Sequence, residues 1–434
     1  VKMNGEQNNP ITAVIVGAGH RSLLYASNAV KQPDNLRIVG VVEPDPVRRK
    51  LTAERFGIDE KGCFETVEQL IKGPQIANAA INGTMDDLHI VTTIPLLEAG
   101  YDVLLEKPIA TSEEQMMQLY QAAQTYGRKV MICHVLRYAP FYKAIREVVL
   151  SGEIGDIVNI QTAEHVSYHH MAVSYIRGKW NSEENSKSSM LMAKCCHDLD
   201  IMTWMVGKQP RKVSSFGSLM QFRPENAPLG AGKRCLVDCQ IEEQCPYSAR
   251  KNYIEQGRWG FYVWSNSYLG QSPCLDEQIE SLRTDNPYGR CVWHCDNDVV
   301  DHQSVMVEFE GGSTATHNMV GATSRPCRTI HIIGTKGEIV GVLEDGSFVV
   351  RHPDPRKGHE YSERRISVNV TDDSHGGGDL LLVADFVSVL RGEEPSISST
   401  ALEKSVNGHQ IGFRAERSRL EGKTMEIEVL PRVL

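Results

Sequence analysis

No stretch of this 434-residue chain approaches the roughly 18 to 20 consecutive apolar residues that a membrane-crossing helix needs, so no membrane partner is expected. The opening residues, Val1 to Pro10, lack the apolar core of a signal peptide, and the expected location is the cytoplasm. Positive charge is also scarce. Lys and Arg total 46 against 55 Asp and Glu, a formal net charge of −9, which offers no basic field to a phosphate backbone and argues against nucleic acid as a partner. Cysteine, at 11 residues, is too sparse for a disulfide scaffold, although eight of the eleven fall between Cys195 and Cys295. Solenoid repeats and low-complexity tracts are absent as well.

What is present is ordinary globular material. Hydrophobic residues make up 41% and charged residues 23%, enough for a sizeable core, and at roughly 150 residues per domain the length predicts two or three domains. From Ile11 to about Val149, β-branched runs alternate with amphipathic stretches, the rhythm of βαβ units and a parallel sheet. Strands are expected at Ile11 to Val16, Leu36 to Val42, Ile76 to Ile81, Val103 to Leu105 and Val130 to Cys133. Helices are expected near Arg21 to Val30, Val47 to Phe56, Asp87 to Glu98 and Ser112 to Tyr126, the last with Ser112 as N-cap. Beyond about Leu150, runs such as Ile157 to Val166, Val213 to Phe222, Gln303 to Phe309, Ser313 to Val320 and Thr329 to Ile333 lack crossover helices between them, which predicts antiparallel pairing. Helices at Asp379 to Leu390 and Ala401 to Glu421 follow. The fold class is therefore α/β, with a doubly wound nucleotide-binding domain over residues 1–150 and a second α/β domain over residues 151–434.

The first strand runs directly into Gly17-Ala18-Gly19-His20-Arg21-Ser22, the opening of a dinucleotide fingerprint with serine at its third position. Gly17 permits the tight turn, Gly19 the close approach of a pyrophosphate to the helix start, and Ser22 is small enough to keep that helix near the strand. Glu43 ends the second strand, placed to accept hydrogen bonds from the adenosine ribose, so NAD is favoured. Arg48 and Arg49 keep NADP open. The strand Val103 to Leu105 ends in Glu106-Lys107-Pro108, which sets Lys107 at the carboxyl edge of the sheet. Pro108 biases it toward an extended backbone.

Together with the loop Asn82-Gly83-Thr84, His89 and the helix His197-Asp198-Leu199-Asp200, these elements resemble the glucose-fructose oxidoreductase, inositol dehydrogenase and MocA family over essentially the whole chain. The resemblance implies an N-terminal Rossmann domain and a C-terminal α/β domain with a large, open, mostly antiparallel sheet that mediates assembly into a homodimer or homotetramer. It implies cofactor contacts from Gly17, Gly19, His20, Arg21, Glu43, Asn82, Gly83, Thr84, His89, Glu106 and Lys107, with Lys107 and His197 meeting over the nicotinamide and His197 taking the substrate hydroxyl's proton. Many members carry an aspartate four residues before that histidine. Here the position is Ala193, with Lys194 beside it and three residues from His197, so a cation is expected next to the base, lowering its pKa. The implied activity is hydride transfer between NAD and a ring carbon of a sugar, cyclitol or glycoside. Two alternatives accompany it: redox-assisted glycoside cleavage, in which the hydride is returned, and a non-catalytic sugar or nucleotide sensor on the same fold.

The segment His165-Val166-Ser167-Tyr168-His169-His170, followed by Ser174 to Trp180, gathers aromatic and polar tips suited to a sugar ring. From it and its surroundings the expected substrate contacts are His165, Tyr175 and Arg177, with Arg137 and Tyr138 after the fifth strand and Asp200 on the histidine helix. Cys235-x3-Cys239-x5-Cys245, with Cys291, His294 and Cys295 farther on, has looser intervals than the paired spacings zinc favours. Buried free thiols are expected there, and no metal.

Overall fold

The computed structural model describes residues 9–370 and 374–428; Val1 to Asn8 of the opening stretch read above for a signal peptide lie outside the described residues. The chain falls into two compact units, Val1–Tyr138 with Gly377–Ser405 and Ala139–Gly376 with Val406–Leu434. The division is thus not a single cut near residue 150. The chain returns to the first unit because the helix Gly378–Leu390 buries Leu382, Val383, Phe386 and Val387, and because Arg391 donates to Asn35 Oδ1 at 3.0 Å.

Six strands form the first unit's sheet: β1 (Ile11–Val16), β2 (Leu36–Val42), β3 (Cys63–Phe64), β4 (Ala79–Asn82), β5 (Asp102–Leu105) and β6 (Val130–Ile132). Their spatial order is β3-β2-β1-β4-β5-β6, with every neighbouring pair parallel. Local sequence explains the helix limits. Asp45 accepts from the Arg48 amide at 2.8 Å and Pro46 opens the helix Pro46–Phe56, which stops at left-handed Gly57. Ser112 likewise caps Glu113–Thr125, with Glu113 and Glu114 complementing the helix dipole in the first turn. The strand order reverses between β1 and β4, so the loops after these two strands face each other at the switch point, where doubly wound sheets bind ligands.

In the second unit, β7 (Ile157–Ser167), β8 (Pro210–Ser218), β9 (His302–Phe309), β10 (Thr314–Thr323), β11 (Cys327–Gly334), β12 (Glu338–Val342), β13 (Ser347–Pro353), β14 (Tyr361–Ser367) and β15 (Met425–Glu426) make one sheet in the order β14-β13-β12-β11-β7-β10-β9-β8-β15. Only the β7 and β10 pair is parallel among these described neighbours; the others are antiparallel. Strand β9 alternates strictly, burying Gln303, Val305, Val307 and Phe309, as a half-covered sheet requires. The helix Met190–Val206 packs on β7 and β10, capped by Ser189 and closed by left-handed Gly207, with every residue but Lys194 buried. Between β8 and β9 an insertion builds its own small core, with Cys235, Ala249, Tyr253, Val263, Trp264 and Leu282 packed on Val173. No helix among the described residues is long and apolar enough to cross a membrane.

Candidate active site

In the first unit, Gly17 turns at φ +75°, and a Cβ there would stand 3.0 Å from the Thr84 amide nitrogen. Only glycine fits, on both conformational and steric grounds. Gly19 precedes the helix His20–Ala26 with no side-chain cap, and a Cβ added to it would meet nothing closer than the Gly83 carbonyl at 3.9 Å, which leaves the approach open. Ser22 is fully buried and packs so closely on Gly83 that any side chain at Gly83 would collide with it. Asn82 holds the facing loop in shape: its Nδ2 donates to Thr92 Oγ1 at 2.8 Å and Thr93 Oγ1 at 2.9 Å, and its Oδ1 accepts from Thr84 Oγ1 at 2.9 Å. Glu43 is buried at the end of β2, accepting from the Ala18 amide at 2.8 Å and the Asp45 amide at 3.0 Å, with Arg48 at 3.3 Å. A glycine turn with room at Gly19, an uncapped helix start and a fixed carboxylate at the ribose position together fit a dinucleotide.

The Glu106-Lys107-Pro108 element, with a cis Lys107–Pro108 bond, follows β5. Buried Glu106 accepts from Arg21 Nε at 2.9 Å, Tyr25 Oη at 2.8 Å and the Lys107 amide at 2.7 Å. Burial opposes its ionisation, but the Arg21 guanidinium and Lys107 outweigh it and hold the carboxyl below its ordinary range. Arg21 is also paired with Asp379 and Tyr25. Arg21, expected as a cofactor contact, thus bridges the carboxylates of Glu106 and Asp379 within this unit, with its side chain a quarter exposed. His20 is pushed down to about 4 by burial and then by Arg21, so its ring is neutral. His89, also expected at the cofactor, is fully buried, with its ring nitrogens 2.7 Å from the Pro108 carbonyl and 3.2 Å from that of Thr84. It ties the two ligand-edge loops together.

Arg137 and Tyr138 require correction as substrate contacts. Arg137 donates to the carbonyls of Ser399 at 3.0 Å and Lys404 at 2.8 Å, and Tyr138 donates to Asp385 Oδ2 at 2.6 Å. Their polar groups bind the segment that returns to the first unit.

In the second unit, His197 is buried on the helix Met190–Val206, its ring centroid 5.4 Å from that of His375. Lys194 does not stand as a bare cation. Its ammonium pairs with Glu164 at 3.0 Å, Glu164 pairs with Arg328 at 2.7 Å, and Arg328 reaches Asp198 at 3.0 Å. The four formal charges cancel, so the cation expected beside His197 stands in a charge-balanced network with Glu164, Arg328 and Asp198. Burial works against the Glu164 charge, and Arg328 and Lys194 overcome it to keep the carboxyl low. His170 is held well below its usual value by burial, then by Lys194 and Arg328. Cys195, Asp198 and His317 present ligand atoms within 4.8 Å of one another; Arg328 takes Asp198 Oδ1 at 3.0 Å, while Asp198 Oδ2 and His317 Nε2 are buried with no hydrogen-bond partner.

Tyr175 is buried, with its ring 5.8 Å from that of His170, and His170 lies 4.5 Å from Trp259. Trp259 comes from the insertion and adopts φ +59°, a costly conformation for a large side chain; nothing in the local sequence marks it. His165 sits 3.3 Å from Cys327 Sγ. Asp200 is fully buried where Gly408 approaches its backbone, a Cβ on Gly408 standing 3.0 Å from Asp200 Cα. Arg177 is corrected too: it donates to the carbonyls of Arg290 at 2.6 Å and Tyr247 at 2.8 Å and to Tyr253 Oη at 3.0 Å, so it stitches the insertion to the unit. Sequence reasoning missed Glu164 and Arg328, which lie far from the histidine helix along the chain.

Comparison with known proteins resolves what this arrangement belongs to. A family model described as an oxidoreductase family with an NAD-binding Rossmann fold matches residues 11–134, and its C-terminal alpha/beta domain matches residues 146–427. The chain belongs to the GFO/IDH/MocA oxidoreductase family. YteT of Bacillus subtilis (strain 168), an oxidoreductase in name, is 24% identical over 375 residues, covering 80% of this chain and 81% of that protein. An inositol 2-dehydrogenase of Corynebacterium glutamicum is 23% identical over 198 residues, covering 45% of this chain and 54% of the enzyme; the match thus spans about half of that relative. Among solved structures, levoglucosan dehydrogenase in complex with NADH and L-sorbose aligns with a TM-score of 0.68 at 16% identity, over 97% of this chain and 100% of that one. The first unit of this family member is its NAD-binding Rossmann domain.

Proposed function

We propose that this family member is an NAD-dependent dehydrogenase acting on a ring hydroxyl, or the matching ketone, of a sugar, cyclitol or glycoside. The observation that carries the reading is the fixing of Glu106: three donors immobilise its carboxylate, which sets the Lys107 backbone at the carboxyl edge of the sheet beside the glycine turn. Bound NAD supplies the hydride acceptor. Lys107 steadies the substrate oxygen as it gains negative charge, and His197 takes the hydroxyl proton on its imidazole. The two groups belong to different units, and the proposal requires both to reach one substrate. The inositol 2-dehydrogenase relative, together with levoglucosan dehydrogenase and a dehydrogenase in complex with NADH and UDP-GlcNAcA among the similar folds, supports the substrate class.

The test is Lys107→Met and His197→Ala, with turnover and NAD affinity measured on a panel of cyclitols, sugars and glycosides. Each variant is expected to lose about two to four orders of magnitude in turnover, the scale of a positioned proton-transfer or charge-stabilising group, with little change in NAD binding. His197→Ala should also flatten the acid limb of the pH profile. Near-normal turnover in either variant refutes the shared site. Oxidised product is expected with stoichiometric NADH, whereas cleavage of a glycoside with no net NADH would assign the hydride-return reaction instead.

A further inference from the structure

Strand β10 buries Ala315, His317 and Met319 on one face, and the helix Met190–Val206 packs on this strand. An imidazole set between two apolar neighbours needs partners for both ring nitrogens, and fully buried His317 has one for only one of them. Its Nδ1 lies 2.9 Å from Thr162 Oγ1, across the β7 and β10 pairing in which Thr162 and His317 stand opposite each other. The Thr162 hydroxyl donates to the Thr316 carbonyl at 3.4 Å, so its oxygen accepts from Nδ1–H. In the neutral ring the lone pair then falls on Nε2, which is buried without a hydrogen-bond partner.

Cys195 and Asp198 reach the same place from the helix. They are three residues apart and share a helix face, and with His317 they present ligand atoms within 4.8 Å of one another. All three residues are buried, Cys195 and His317 completely. The Asp198 carboxylate is divided: Oδ1 accepts from Arg328 at 3.0 Å, and Oδ2, like His317 Nε2, is buried with no hydrogen-bond partner. A carboxylate oxygen and an imidazole lone pair are both acceptors and cannot satisfy each other. A proton on Nε2 could serve both only in a direct hydrogen bond, and the two atoms make none. A cation held between them, with the sulfur as its third neighbour, satisfies both at once.

We propose that Cys195, Asp198 and His317 bind one zinc ion through Sγ, Oδ2 and Nε2, with Cys195 ligating as a thiolate after releasing its proton to solvent. One thiolate, one imidazole and one carboxylate suit zinc, whereas magnesium and calcium take oxygen ligands. Tetrahedral zinc, with bonds of about 2.0 to 2.3 Å, sets its ligand atoms about 3.3 to 3.8 Å apart, so side-chain shifts of about 1 Å or less close the trio on the ion. The outer shell is already in place: Thr162 takes the Nδ1–H and fixes the ligating tautomer, and Arg328 holds the other carboxylate oxygen. Lys194, Glu164, Arg328 and Asp198 balance one another. Zinc with the Cys195 thiolate therefore adds one positive charge, which a hydroxide in the fourth position closes. The ion bolts the helix turn that carries His197 to the middle of the sheet, whether or not that histidine serves as a base.

The full-length protein, purified without chelators and incubated with zinc chloride before gel filtration, is assayed by elemental analysis and by X-ray absorption at the zinc edge, and its chelator-stripped form is titrated with cobalt(II). One zinc per chain is expected, with a single sulfur at about 2.3 Å and nitrogen or oxygen ligands at about 2.0 to 2.2 Å. Cobalt should bring a sulfur-to-metal charge-transfer band. Cys195→Ala should lose most of the zinc and the band, and His317→Gln most of the zinc, while Cys245→Ser, in the insertion, leaves both unchanged. A protein that retains no zinc, a first shell of several sulfurs, or zinc content unaffected by Cys195→Ala overturns the site. If the ligand variants fail to fold, the first shell of zinc in the unaltered chain decides alone.

Discussion

Glu43 sets the expected cofactor preference, and the size of its effect follows from the geometry. Its buried carboxylate is held by the amides of Ala18 and Asp45 at 2.8 and 3.0 Å, so it cannot swing away from a ligand at the adenosine ribose. NADP would bring a 2′-phosphate of about −1.5 to −2 charge to that place. At a separation of about 5 Å and an effective dielectric of about 20, each unit of that charge costs about 3 kcal/mol against the carboxylate. Arg48, 3.3 Å from Glu43, offsets a large part of this. A remainder of about 1 to 3 kcal/mol favours NAD by roughly ten- to a hundredfold. Glu43→Gln keeps the shape and removes the charge, but its amide nitrogen must face one of the two backbone donors, at a cost of about 1 kcal/mol. Calorimetry with both cofactors should therefore show NADP tightening by about tenfold or more in the variant while NAD weakens by less. NADP binding as well as NAD in the unaltered protein, or indifferent to the substitution, would refute the electrostatic argument.

Two further outcomes follow from the second unit. Burial and then the neighbouring Glu416 push the Glu183 carboxyl up to about 7 from an ordinary 4.5. Across that window the folded chain keeps a proton that the unfolded chain has released, so stability falls as pH rises. Glu183→Gln should melt higher than the unaltered protein on the alkaline side of the window, and equal melting temperatures there would contradict the assignment. Self-association is expected through the outer face of the nine-stranded sheet, where Phe216 is 76% and Met306 60% exposed on adjacent antiparallel strands. Light scattering should give a dimer or tetramer, and Phe216→Asp should shift it toward a single chain. A species of only 48.4 kDa in the unaltered protein would rule this out.

The elements that could be read from sequence are those whose burial is uniform. Strands β1 and β2 are mostly buried, rich in β-branched residues and ended by turn residues, and they appear with the expected limits. Strand β14 could not be read, because Tyr361–Ser367 is charged and exposed along nearly its whole length. It is an edge strand, where charge discourages further pairing and leaves no alternation to detect. The helix Pro140–Leu150 was hidden at the point where βαβ rhythm gives way to antiparallel strands. The strand expected over Val213 to Phe222 begins and ends earlier, at Pro210 and Ser218, because Phe222 packs its ring 5.5 Å from Tyr247 in the insertion instead of continuing the sheet. That β7 pairs in parallel with β10 is a property of topology that strand sequences do not encode locally.

The same contrast governs the site. Gly17, Gly19, Glu43 and Glu106-Lys107-Pro108 could be placed from sequence because each lies within a few residues of a strand end. The partners that complete them come from far along the chain: Asp379 meets Arg21 and Arg328 meets Asp198. Arg137 and Tyr138 occupy a position after β6 from which a side chain can serve either a ligand or the core, and the returning segment decides for the core, through the carbonyls of Ser399 and Lys404 for Arg137 and the Asp385 carboxylate for Tyr138. Lys194 shows how such a decision can be anticipated. It is the one residue of Met190–Val206 that is not buried, yet its ammonium lies close to a buried layer, where an unpaired charge would be costly. A carboxylate had to be supplied from elsewhere, and strand β7 supplies it in Glu164. Glu164 then needs more than one cation because its second oxygen is also buried, and Arg328 answers that need while binding Asp198. Charge closure of this kind predicts that partners exist, though not which residues they are, and it converts an apparent cation beside His197 into a neutral network that fixes the helix on which the proposed base is carried.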